Sequence, residues 1–415
     1  MISVQNHLLP LSGNKWLLFF SAALILGACS PKVRPVSTPA KPTEKPQNIA
    51  KEKPAEKPPV AKPAVIAMIL PMGLDHVRPR TYSSAGLTRA NLSVEYYQGF
   101  KLALDSLAAT EGANFKLELY DSKDDAAAAH SLAYNPQVRT SDLIVGPVFP
   151  DWIKEFTSTM GNRVPILSPL SPASPATIKN EKLITAIPPL EYHAWGAAQY
   201  INDKMKPKKI FVLRSGFSQE NDYVVNFKKA TDSLSNKKVK VISVVITRGQ
   251  LSGLISQLSK TENNVFVIPA TDQAFLGVTL RSLDTLNKNY PVVLFGHPSW
   301  EKFSFLKADI LQRLKTHITS ADKVNYKQEA TIAFLRNYRK AYHVEPTDYA
   351  IKGFDEGLYF GKQLFANDKG MTQLDKTDFT GIHNSFRFVK KAGQGWVNTH
   401  VNILMYTNFE LKQVE

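Results

Sequence analysis

Cys29 is the only cysteine in 415 residues, and it closes the tetrapeptide Leu26-Gly27-Ala28-Cys29. A thiolate is the strongest nucleophile an ordinary side chain offers, and the residues before this one indicate its use. Lys15 precedes an uncharged apolar run over residues 16–28. About a dozen residues are too few to cross a bilayer as a helix and suit an export signal. A single thiol in an exported chain has no intrachain disulfide partner. The thiol is then either an idle reactive group or one that is modified. The expectation is a signal peptide over residues 1–28 and a modified thiol at Cys29.

This tetrapeptide, with its upstream run, resembles the bacterial lipobox, in which two small residues fit a peptidase cleft and the thiol takes a lipid; the resemblance implies lipid attachment at Cys29, an anchor worth about 0.8 kcal/mol per buried methylene. The resemblance implies a bacterial cell-envelope location, extracytoplasmic and lipid-anchored, facing the periplasm or on the outer membrane. Residues 29–64 then form a Lys/Pro-rich tether: positions 30–64 hold nine prolines, eight Lys/Arg, three Glu and no aromatic residue. Nothing there can offset the entropy of ordering, so the segment is expected to be disordered and extended, with a reach on the order of 100 Å. The formal charge of +15 is spread over the whole chain, and residues 65–415 carry 42 basic and 33 acidic residues. That modest excess, the export signal and the lack of a basic-aromatic motif exclude nucleic acid as a partner.

Beyond residue 64 the chemistry-bearing residues sit where short apolar runs end. Asp121, Phe149, Asp151, Ser168, Ser171, Arg214, Phe217, Asp272, His297 and Trp300 each follow a predicted strand and are the ligand-binding candidates. Arg214 suits an anionic ligand or a carboxylate. Asp121 and Asp272 also suit helix capping, Phe149 and Trp300 also suit packing on their own helices, and His297 also suits a loop. No Walker loop, His-Glu-x-x-His or Gly-x-Ser-x-Gly is present, and nine histidines are scattered. Catalytic residues, metal and cofactor are therefore all expected to be none.

The elements that would position these residues alternate. "VIAMIL", "FKLELY", "LIVGPV", "VPILSP" and "LITAIPP" are β-branched apolar runs separated by helical patterns, and after Pro189 the rhythm restarts with "KIFVLRS", "KVISVVITR", "NVFVIPA" and "PVVLFG". Near-continuous apolar strands alternating with helices predict α/β lobes, each a doubly wound parallel sheet with its ligand crevice beyond the carboxyl ends of the strands.

The order and local sequence of these pieces are similar to the type I periplasmic binding protein family, the group that includes the leucine/isoleucine/valine-binding proteins. Its carriers are "IAMILPMG", "YYQGFKLALD", "DLIVGPVF", "VPILSPLSP", "LITAIPPLEYHAWGAAQYI", "KKIFVLRSGFSQEND" and "FLRNYRKAYHVEPTDYAIKGFDEGLYFGKQL". The closing hairpin is "TGIHNSFRFVKKAGQGWVNTHVNILMY", with Gly393 and Gly395 at its turn. The resemblance implies two lobes joined by a three-strand hinge, 65–188 plus 327–378 and 189–326 plus 379–415, closing on a small-molecule ligand. In amino-acid-binding members, hydroxyls after the third and fourth strands grip the ligand. Here the first loop reads Val148-Phe149-Pro150-Asp151, with no Ser or Thr, and the second reads Ser168-Pro169-Leu170-Ser171-Pro172, with Pro172 at the position that usually carries threonine, so the usual free-amino-acid grip does not fit. "GHPSW" also resembles a loop of penicillin-binding-protein activator lipoproteins, which share the fold. The expected partner is thus a transporter permease, with a cell-wall synthesis partner or a peptidoglycan fragment as the alternative.

Overall fold

The computed structural model describes residues 62–73, 83–123, 125–366, 370–383 and 385–415. The export segment, Cys29 and the tether up to residue 61 lie outside the described residues. No described helix is long and apolar enough to cross a membrane.

Two seven-stranded sheets carry the body. The strands are β1 (Ala64–Leu70), β2 (Phe115–Asp121), β3 (Leu143–Val145), β4 (Ile166–Ser168), β5 (Leu183–Thr185), β6 (Lys209–Arg214), β7 (Lys240–Val245), β8 (Asn264–Ile268), β9 (Val292–Gly296) and β10 (His317–Ser320). Six more follow: β11 (Phe379–Thr380), β12 (Ser385–Phe386), β13 (Phe388–Lys390), β14 (Trp396–Asn398), β15 (Asn402–Thr407) and β16 (Glu410–Gln413). The first sheet runs β13-β14-β5-β4-β3-β1-β2 and the second β16-β15-β10-β9-β8-β6-β7. Strands β1 to β5 pair in parallel, as do β6 to β10. The expected α/β class with two doubly wound lobes is therefore what the chain forms.

Both faces of each sheet are covered, which is why the strands read as unbroken apolar runs. Side chains alternate across a strand. Ile66, Met68 and Leu70 accordingly join one core and Ala67 and Ile69 the other. In β6, Phe211 and Leu213 face one way and Ile210 and Val212 the other. Over the first sheet, helices Ser84–Glu111 and Asp348–Ala366 pack together through glycines. A Cβ on Gly99 would collide with the Ala350 carbonyl, and one on Gly353 with the Tyr96 carbonyl.

The chain crosses between sheets after β5, after β10 and after β14. The last crossing corrects the expected lobe boundary. The hairpin β13–β14 belongs to the first sheet, because Trp396 and Val397 pair in parallel with Ile184 and Thr185. Asn398 locks that edge by donating from Nδ2 to the carbonyls of Ala186 and Ser385, both at 2.9 Å. The third crossing is thus residues 399–401, and only β15 and β16 return to the second sheet. Gly393, at φ +71°, does occupy the hairpin turn.

Candidate functional site

The loops at the carboxyl ends of the strands form two rims, one per lobe, and the crossings join them. On the first rim Asp121 is not a helix cap. Its carboxylate accepts from the backbone N–H of Met72 at 2.9 Å, Gly73 at 3.0 Å and Lys123 at 2.8 Å. It therefore fastens the loop after β1 to the end of β2, and Asp125 caps the next helix instead. Phe149 stands at the start of helix Pro150–Met160 with its ring edge-on to Trp152, 4.7 Å between centroids. Asp151 lies exposed in the first turn of that helix, where a carboxylate complements the helix dipole.

Ser168 ends β4, is fully buried and donates to the Ser171 carbonyl at 3.0 Å. Ser171 is buried too, and its Oγ has no hydrogen-bond partner. A buried hydroxyl with unused capacity costs on the order of 1–3 kcal/mol, so Ser171 is the first-rim group with the strongest physical reason to meet a ligand. Pro172 beside it is exposed and offers neither hydroxyl nor amide hydrogen.

On the second rim the candidates are more fully engaged. Arg214 donates from Nη2 to Asn221 Oδ1 at 2.6 Å, and its Nε lies 3.6 Å from the buried Glu220. Glu220 also accepts from the Ser215 N–H at 3.0 Å and the Ser215 hydroxyl at 2.5 Å. The cation thus has a counter-ion in place. Phe217 is 55% exposed on the same loop and touches solvent. Asp272 caps helix Gln273–Leu286 by accepting from Phe275 N–H at 2.7 Å. His297 caps a short turn by accepting from Ser299 N–H at Nδ1, 3.1 Å, and burial pushes its pKa down to about 4. Trp300 is a correction: it is fully buried, packs on Gly296 and donates to the Ala270 carbonyl at 2.9 Å. An indole with its N–H paired in the core is a structural group and not a ligand contact.

Sequence patterns missed the polar groups at the crossings. His193, on helix Leu190–Tyr200, is buried with Nδ1 2.9 Å from the Thr319 hydroxyl, and desolvation, helped by His297, pushes its pKa down to about 4. Asp322, just after β10, meets Lys352 of the first lobe at 2.5 Å and His383 at 3.7 Å. Burial opposes ionisation of Asp322, but the neighbouring cations outweigh it and hold its pKa below the usual carboxylate value. His383 is positioned by its own N–H donating to buried Asp355 at 2.8 Å. These groups come together through crossings, so no local spacing signals them; only Asp322 follows a strand as the other candidates do. Two cavities lie away from both rims, one beside the third crossing and one at the amino ends of β6 and β8.

No family model matches the chain, and no curated protein matches it by sequence. Solved structures do match by fold. A putative branched-chain amino acid ABC transporter protein from Rhodospirillum rubrum aligns with a TM-score of 0.61 at 14% identity, over 85% of this chain and 100% of that one. A branched-chain amino acid transporter protein from Rhodopseudomonas palustris gives 0.58 at 13%, over 85% and 96%. An ABC transporter substrate-binding protein from Desulfitobacterium hafniense, solved with Leu, gives 0.53 at 15%, over 85% and 100%. The chain has the type I periplasmic binding protein fold.

Proposed function

We propose that this chain is an extracytoplasmic ligand-binding protein, anchored through lipid on Cys29, that closes its two lobes on a small ligand and serves a transporter as its receptor. The observation that carries the reading is the pair of like-ordered sheets joined by three crossings, each with its loops at the strand carboxyl ends. The transport assignment draws support from the solved neighbours, which are substrate-binding and transporter proteins. Ser171 is the proposed contact on the first rim and the exposed Phe217 the one on the second.

The ligand is expected to differ from free leucine, isoleucine or valine. An amino acid brings two charges, and a buried charge left without partners costs several kcal/mol. Pro172 offers no donor, and the Arg214 cation is already paired with Glu220. Saturating a native-state site at about a hundredfold excess over Kd adds roughly 2.7 kcal/mol of stability, a clear thermal shift. We expect none from these three amino acids at millimolar concentration; a clear upward shift would restore an ordinary amino-acid receptor. Mass spectrometry of what co-purifies then identifies the ligand, and Ser171→Ala is expected to weaken it about tenfold, the worth of a lost hydrogen bond.

A second reading, a non-transport envelope protein that grips a partner protein or a peptidoglycan fragment, is favoured by the self-satisfied second rim. Co-purification of a protein or muropeptide with no small solute supports it. For the anchor, Cys29→Ser is expected to abolish partitioning into detergent; equal partitioning of both proteins removes the lipoprotein assignment.

A further inference from the structure

We propose that the amino-end face of the second lobe docks on an anionic phospholipid surface. Two lysine-rich stretches meet there: residues 203–209 carry Lys204, Lys206, Lys208 and Lys209, and residues 236–240 carry Lys237, Lys238 and Lys240. Lys209 and Lys240 are paired positions of the parallel strands β6 and β7, and Lys240 N–H donates to the Lys208 carbonyl at 3.0 Å. With Lys260 on the next loop, eight lysines stand among the four carboxylates of Asp203, Asp232, Glu262 and Glu415. The net of four is close to half of the excess that 42 basic and 33 acidic residues give residues 65–415. A large share of the body's net positive charge is therefore set at one end of one lobe.

These cations are available. Lys206, Lys208, Lys238 and Lys240 are exposed and make no ion pair among the described residues. Lys209 is held by the Gln257 carbonyl at 2.9 Å, and Lys204 stands 3.7 Å from Glu415. Lys204, Lys206, Lys208 and Lys209 line a cavity of about 820 Å³, into which Ser256 and Thr261 bring hydroxyl donors. Ammonium groups beside hydroxyls are donors suited to phosphate oxygens. Ile255 on the same loop is 41% exposed, an aliphatic side chain of the kind that enters the headgroup boundary.

A broad surface fits better than one free phosphate, because the lysines spread over adjacent strand ends about 4.8 Å apart instead of converging on a point. Each lysine near an anionic bilayer contributes about fivefold in affinity. The crevice lies at the carboxyl ends of the same strands, so docking leaves it open. The inference does not depend on acylation of Cys29.

The full chain with Cys29→Ser has no cysteine, so a single thiol can report position. Ser256→Cys and, at the opposite strand end, Ser218→Cys each receive an environment-sensitive dye. Vesicles with about 30% phosphatidylglycerol are expected to blue-shift the dye at 256 and not at 218. About 0.5 M salt reverses the shift, and Lys208→Glu with Lys240→Glu reduces it at least tenfold in vesicle titration. Equal shifts at both sites, no shift, or a shift on phosphatidylcholine that survives salt overturns the proposal. A saturable response to inorganic phosphate without one to vesicles also overturns it, by making the cavity a free-anion site.

Discussion

The two lobes share a strand order yet hide opposite kinds of titratable group. Under the first sheet, Glu356 is fully buried and accepts from the Tyr96 hydroxyl at 2.7 Å, and desolvation raises its pKa well above the ordinary 4.5. In the second lobe, beside the paired Glu220 and a Glu301 that burial raises, the inner groups pushed furthest are histidines: His193 and His317 are buried and His297 is half-buried, and burial pushes each down to about 4. One lobe keeps a proton that its unfolded chain releases, and the other refuses protons that its unfolded chain binds. Linkage then gives their stabilities opposite slopes in pH. Their helix packing differs as well. The first lobe brings two long helices together through Gly353, Gly357 and Gly361, whereas the pair Leu190–Tyr200 and Asn221–Leu234 meets through Ala194, Ala197, Ala198 and Ala230. A common topology therefore leaves room for lobe-specific weaknesses.

The largest expected effect probes the glycine contact. Gly353→Ala places a methyl group against the Tyr96 carbonyl, a backbone atom that cannot rotate away. The helices must part, at a cost of about 3 kcal/mol or more, read as a lower urea midpoint with the loss of hydrogen-exchange protection beginning in the first lobe. Full stability would mean that the helices sit farther apart than described, and the contrast between lobes would lose its packing half.

Next in size is acid lability of the second lobe. The folded state excludes protons from His193 while the unfolded chain binds them near 6.5, so stability is present above that value and is lost as pH falls toward about 4. For this fully buried ring the loss is on the order of 3 kcal/mol. Hydrogen exchange is expected to show second-lobe peptides opening before first-lobe peptides as pH is lowered through this window. His193→Asn keeps a hydrogen-bonding group near Thr319 and is expected to delay that opening. Simultaneous opening of both lobes would break the comparison.

Much of this architecture was legible in sequence because parallel strands covered on both faces are unbroken apolar runs, such as the one from Ile66 to Leu70. The rims were legible as places and less so as roles. Strand ends located Asp121, Arg214 and Trp300, but whether each faces a ligand depends on partners far along the chain: Met72 for Asp121 and Ala270 for Trp300. The Lys352–Asp322 bridge joins residues on either side of a crossing, and Asn398 holds the hairpin to residue 186, 212 positions away. Such contacts come from topology and leave no periodic trace, which is also why sequence alone puts the third crossing too early in the chain.

A smaller effect tests the other slope. The folded first lobe keeps the Glu356 proton above 4.5, where the unfolded chain has released it, so its stability declines as pH rises from that value. Glu356→Gln retains an acceptor for Tyr96 and cannot ionise. It is expected to be near neutral at mildly acidic pH and increasingly stabilising toward alkaline pH, with the change confined to first-lobe exchange. A constant difference at every pH would show that Glu356 titrates alike folded and unfolded.

The smallest effect reverses the sign of the largest. Gly277 lies inside helix Gln273–Leu286 of the second lobe, and a Cβ there would meet nothing within 4 Å. Here glycine supplies no close approach and only gives the unfolded chain more freedom to lose. Gly277→Ala is therefore expected to stabilise by about 0.5–1 kcal/mol, seen as a small rise in urea midpoint. The same substitution chemistry, glycine to alanine in a helix, then costs heavily in one lobe and helps in the other, because one glycine is space for a neighbouring backbone and the other is not. A loss of stability at Gly277 would mean that its helix packs on something in solution, and the outer face of the second lobe would have to be counted as occupied.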